Sequence, residues 1–167
     1  STESRPARAT LLAELSRALD EHELFLHYQP RVDLFTGRVV GVEALVRWNH
    51  PRLGVVQPAA FMAQAEQSDL IGALTERVVR LAVAQAASWR RQGIELTVSV
   101  NASARNLIDF RFPAMVAAAL AEHCVDPAAL ELEITENSML VDPVRTTTVL
   151  AWLRSVGVTI SVDDFGT

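Results

Sequence analysis

Five oxygen-bearing side chains in this 167-residue chain lie in or just after strand-like stretches: Glu43, Asn101, Glu133, Asp163 and Asp164. A single acidic residue at a strand end commonly caps a turn or a helix. Several carboxylates in one semi-enclosed space repel each other and resist desolvation. They must be protonated, paired with cations or bound to metal. Oxygen-only donors, here carboxylates and one asparagine amide, suit Mg²⁺, Mn²⁺ or Ca²⁺ rather than zinc.

Such residues act together only if the chain brings them together. Helix-like and strand-like stretches alternate along the sequence. Residues 9–22 carry leucines on one helical stripe, Leu11, Leu12, Leu15 and Leu19. Residues 24–32 and 39–48 alternate as strands around a turn at Phe35-Thr36-Gly37-Arg38, and predict a hairpin. A long helix is expected from Ser68 or Asp69 to about Arg91, stopped by Gly93. Strands are expected over 95–100, 130–134 and 158–162. Helices are expected over 112–123 and from Asp142-Pro143 to about Ser155, before Gly157. Asp126-Pro127 reads as a further helix start. Strands separated by helices predict parallel strands with crossover connections, whose C-terminal ends form the active face.

The side-chain period supports that placement. Val40, Val42, Ala44, Val46 and Trp48 share one face of their strand, and Gly41, Glu43, Leu45 and Arg47 share the other. Leu130, Leu132 and Ile134 likewise oppose Glu131 and Glu133. The apolar faces suit a covering helix layer, which leaves the carboxylates pointing into a barrel. Five strands are counted, whereas a complete (β/α)8 barrel takes about 250 residues. A five-stranded flavodoxin-like open sheet is the competing architecture at this length.

Half of the residues are hydrophobic and 21% are charged, a globular composition. A net charge of -5 offers no electrostatic footprint for a nucleic-acid polymer. The lone Cys124 cannot form an internal disulfide, which points to a reducing, cytoplasmic setting. No apolar run is long enough to span a bilayer. Ser1 to Arg8 lack the apolar core of a signal peptide and are expected to be linker, with the domain starting at residue 9.

Six blocks together resemble a known family. Glu43-Ala44-Leu45, within VEALVRWNHP, resembles the tripeptide that names EAL domains. LHYQP (Leu26 to Pro30), the HP-x-x-G turn (His50 to Gly54), SVNAS (Ser99 to Ser103), LEITEN (Leu132 to Asn137) and VDDFGT (Val162 to Thr167) follow in the family's order. The resemblance implies an α/β fold, a (β/α)8 TIM-like barrel with an antiparallel first strand. It implies hydrolysis of cyclic di-GMP to linear pGpG with two Mg²⁺ or Mn²⁺ ions. Position by position, Glu43, Asn101, Glu133 and Asp163 would be metal ligands, and Asp164 would hold the second metal. Gln29 and Arg47 would contact the substrate, Arg47 through a phosphate, and Glu136 would anchor the loop after the Asp-Asp pair.

The resemblance has gaps. Asn106 stands where the family usually has Gln, and Asn137 where Ser is common. The family motif continues beyond Asp-Asp-Phe-Gly-Thr, and later strands supply a catalytic Lys and Glu. This chain contains no lysine, and its basic residues are all arginines. It is therefore expected to hold the N-terminal portion of an EAL domain, inactive alone. A catalytically silent cyclic-di-GMP receptor or a dimerisation module are the alternatives. No GG[DE]EF motif occurs, so cyclase activity is not expected here. The resemblance allows for a homodimer and for an upstream GGDEF or sensory domain.

Overall fold

A computed structural model describes residues 5–163, with side chains from residue 10. Its centre is a curved sheet. Strand β1 (Leu24–Val32) pairs antiparallel with β2 (Val39–His50), and β2 pairs in parallel with β4 (Thr97–Asn101). The parallel series continues through β5 (Leu130–Thr135) and β6 (Thr159–Asp163). A short strand, β3 (Gly54–Val56), folds back antiparallel on the end of β2. Its three residues are too few to show a strand period, so β3 is not among the expected strands.

Strands join in chain order, β1-β2-β4-β5-β6. Their apolar residues face one way, toward helices α3 (Leu70–Arg91), α5 (Phe112–Glu122) and α7 (Pro143–Val156). A flavodoxin-like sheet would reverse strand order and carry helices on both faces. One-way winding with a single helix layer is the barrel arrangement. Trp48, Val98, Val100, Leu130, Leu132 and Ile134 are fully buried beneath that layer. Val40 departs from the expected face pattern and is 54% exposed. It lies below the helix layer, beside a cavity it shares with Ile94, Leu96 and Val125.

Local signals explain the element ends. In the hairpin turn, Asp33 Oδ1 accepts hydrogen bonds from the backbone N–H of Phe35 (2.9 Å) and Thr36 (2.8 Å). Asp142 caps α7 by accepting from Arg145 N at 3.1 Å. Gly157 ends that helix at φ 102°, a left-handed conformation that a Cβ disfavours. Asp126 also accepts a backbone N–H, but the element that follows is a single 3-10 turn, Pro127–Ala129, because β5 begins at Leu130. At the head of α3, Ser68 is the residue whose hydroxyl accepts from Leu70 N, at 3.2 Å.

Helix α1 (Arg5–Asp20) is fastened to the end of β2 by two polar clasps. His50 is fully buried. Its Nδ1 accepts from the backbone N–H of Arg52 (3.1 Å) and Leu53 (3.2 Å), and its Nε2 faces Glu14 Oε2 at 3.2 Å. Glu23 accepts from Trp48 Nε1 at 2.9 Å and from Arg17 at 2.6 Å. Helix α4 (Ala104–Leu107) follows β4. Its N3 residue, Asn106, closes a capping box with Ser103 and accepts from Thr75 of α3 at 3.1 Å. Among the described residues no helix is long and apolar enough to cross a membrane.

Candidate active site on the barrel lumen

The face of the sheet opposite the helices carries the polar residues. Strand pairing sets Gln29 against Glu43, Glu43 against Ser99, Ser99 against Glu131, and Asn101 against Glu133. Asn101 and Glu133 therefore stand toward the C-terminal ends of β4 and β5, and Glu43 stands beside them within β2, which runs on past it to His50. Asn101 Nδ2 donates to Glu43 Oε1 at 3.1 Å. Asp163 ends β6 opposite Thr135 and is exposed. Asp164 lies outside the described residues. Glu136 is exposed at the start of α6 (Glu136–Met139), a short helix capped by Thr135.

Arg47 lies on the lumen face of β2, four residues beyond Glu43. One guanidinium nitrogen donates to the Val46 carbonyl at 2.8 Å. Its Nε is buried and has no hydrogen-bond partner among the described residues. Near the strand ends, Asn101, Ser103, Arg105, Glu133 and Thr135 line a cavity of about 420 Å³.

Sequence reasoning missed Arg31. Its Nη1 lies 2.7 Å from Glu131 Oε1 and 3.1 Å from Glu133 Oε1, and also bonds the Ser99 hydroxyl. Ser99 and Ser161 donate to the same Glu131 oxygen, at 3.2 and 2.9 Å. The signal was present. Arg31 is two residues past Gln29, so strand period alone puts both on one face.

These contacts divide the two β5 carboxylates. For Glu131, burial acts to raise the pKa, but the bonds from Arg31 and Ser161 together hold it below the usual carboxylate range. For Glu133, burial pushes the pKa up, and the charge of Glu43 adds to this against the pull of Arg31. Glu131 is compensated by Arg31 and two serine hydroxyls, whereas Glu133 is compensated less fully, by the longer contact to Arg31. Among the described residues, no group of three or more His, Cys, Asp or Glu side chains is gathered as a metal centre. Glu43 is turned onto the Asn101 amide and Glu133 toward Arg31.

A one-way wound α/β sheet with an acidic, amide-bearing rim at its C-terminal edge defines the class of barrel with strand-end active sites. The EAL domain family profile matches residues 12–167, and the chain belongs to that family. It is 44% identical over 159 residues to a Pseudomonas aeruginosa protein named as a cyclic di-GMP phosphodiesterase, covering 95% of this chain and 27% of that protein. The bifunctional diguanylate cyclase/cyclic di-GMP phosphodiesterase MucR of the same organism is 39% identical, over 94% of this chain and 23% of its own length. The chain thus spans about a quarter of these relatives. Among solved structures, the PaMucR phosphodiesterase in complex with c-di-GMP superposes with a TM-score of 0.88 at 38% identity, covering 95% of this chain and 64% of that one. The EAL enzyme Bd1971, bound to cAMP and cyclic di-GMP, gives 0.89 at 29% identity, covering 99% and 46%.

Proposed function

We propose that the protein carrying this chain hydrolyses one phosphodiester of cyclic di-GMP to linear pGpG, and that the reaction depends on divalent metal. The observation that carries this proposal is the row Glu43–Asn101–Glu133 on the lumen face of three adjacent strands, joined by the 3.1 Å bond between its first two members.

The donor chemistry fits a hard divalent ion, Mg²⁺ or Mn²⁺. Two carboxylates and an amide oxygen are offered, and Glu133 shares its one arginine with Glu131. To join such a centre, Asn101 would turn its amide so that the oxygen, not the NH2, faces inward. Asp163 and Asp164 would complete the oxygen set from β6. Bound there, a pair of such ions would lower the pKa of a water and stabilise the attacking and leaving oxygens of an in-line displacement. Arg47 would hold a substrate phosphate oxygen, using donors of which Nε has no partner among the described residues. Gln29, opposite Glu43, would contact the nucleotide, and Glu136 would anchor the loop following Asp164.

The full-length protein incubated with cyclic di-GMP and Mg²⁺ or Mn²⁺ should yield pGpG, and chelation should stop the reaction. Nucleotide binding without any product would show that the domain is a receptor and overturn the hydrolytic assignment.

A further inference from the structure

The proposed roles leave one cation on the lumen face without a task. Arg31 comes from β1, yet among the described residues its side-chain hydrogen bonds go to β4 and β5, on the far side of β2. Its strand partner on β2 is Gly41, which presents no side chain to obstruct that path. The guanidinium then uses one nitrogen, Nη1, for both β5 carboxylates. One of them, Glu131, is satisfied by Arg31 together with Ser99 and Ser161. The other, Glu133, belongs to the row that would hold the metal.

We infer that Arg31 weakens the hold of the Glu43–Asn101–Glu133 row on a divalent cation, as a fixed charge that competes for Glu133. The inference rests on the metal-dependent assignment made above. Arg31 Nη1 lies 2.7 Å from Glu131 and 3.1 Å from Glu133, so its charge falls on both carboxylates. Its fixed positive charge also opposes any ion that Glu133 takes up. A purely structural tether and a competing charge give opposite outcomes on removal. Loss of a tether would let the carboxylates separate and weaken ion binding. Loss of a competing charge leaves an uncompensated Glu131 beside the row and strengthens it.

The test is a Mn²⁺ titration of the full-length protein without nucleotide, with free Mn²⁺ followed by electron paramagnetic resonance. Arg31→Met should lower the Mn²⁺ Kd roughly tenfold, whereas Arg31→Lys should stay close to wild type. Glu131→Gln removes the partner that restrains Arg31 from Glu133, and should raise the Kd several-fold. The double variant Arg31→Met/Glu131→Gln restores the charge balance and should return to within about threefold of wild type. An unchanged or weakened affinity in Arg31→Met overturns the inference. If that variant does not fold, Glu131→Gln decides it, and an unchanged or tighter affinity there overturns it. Glu43→Gln separates the two levels. If it leaves Mn²⁺ binding intact, the ion is not held by this row, and the metal assignment falls together with the role of Arg31. If Glu43→Gln abolishes binding while the Arg31 and Glu131 variants have no effect, only the role of Arg31 falls.

Discussion

The two β5 carboxylates, Glu131 and Glu133, are two residues apart on one strand face and differ in what surrounds them. Glu131 meets an arginine and two serine hydroxyls, so the protein provides its counter-charge. Glu133, one step nearer the open end, shares that arginine at longer range and feels Glu43. The floor of the lumen is electrostatically closed and the rim is left open. A half-buried charge without a full partner is unfavourable in a fold that had no other use for it. Its place at the C-terminal strand ends is where a barrel keeps its chemistry.

The contrast between a built scaffold and an open rim can be broken at several points. The largest effect should come from the scaffold. Trp48 is fully buried, lies edge-on to Phe61 with ring centroids 5.7 Å apart, and donates to Glu23. Trp48→Ala should destabilise the domain by about 3–5 kcal/mol, read as a lower denaturation midpoint of the full-length protein. Next is the rim. Glu43→Gln should reduce metal-dependent cyclic-di-GMP turnover at least about a hundredfold, equivalent to about 2.7 kcal/mol, with an unchanged denaturation midpoint. Near wild-type turnover in that variant would mean that the rim is not the reactive centre.

Smaller effects test the spacing between strands and helices. A Cβ at Gly41 would come within 2.8 Å of the Thr97 carbonyl oxygen, backbone that cannot move without parting β2 from β4. Gly41→Ala should therefore destabilise by about 1–3 kcal/mol, and turnover should fall with it because Glu43 and Asn101 sit on those two strands. Asn106→Ala removes the capping box and the bond to Thr75. About 1–2 kcal/mol should be lost, with no change in the Mn²⁺ affinity measured in the native protein.

What the sequence could reveal followed from period and spacing. Alternation assigned Glu43 and Glu133 to the lumen and Leu130, Leu132 and Ile134 to the helix side, and all five are found there. Proline and glycine marked the ends of α7 correctly. Alternation also contained Arg31, but a basic residue at the end of an edge strand looks solvated until the strand order brings β5 within reach of it. Asp126-Pro127 marked a helix start correctly, but the element is a single 3-10 turn, because capping chemistry is local while the length of the element is decided by the strand behind it. Val40 failed because a face pattern describes the strand and not how far the helices cover it. The departure at Asn106 proved to have its own logic: its shorter side chain bonds Ser103 and Thr75 together.

The most direct measurement is the position of a bound ion. A crystal of the full-length protein grown with Mn²⁺, with anomalous data collected at the manganese edge, would locate it. The expected result is an anomalous peak bounded by Glu43, Glu133 and the oxygen of a turned Asn101 amide, with the present Asn101–Glu43 bond gone. A peak elsewhere, or none while Asn101 Nδ2 still donates to Glu43, would contradict it.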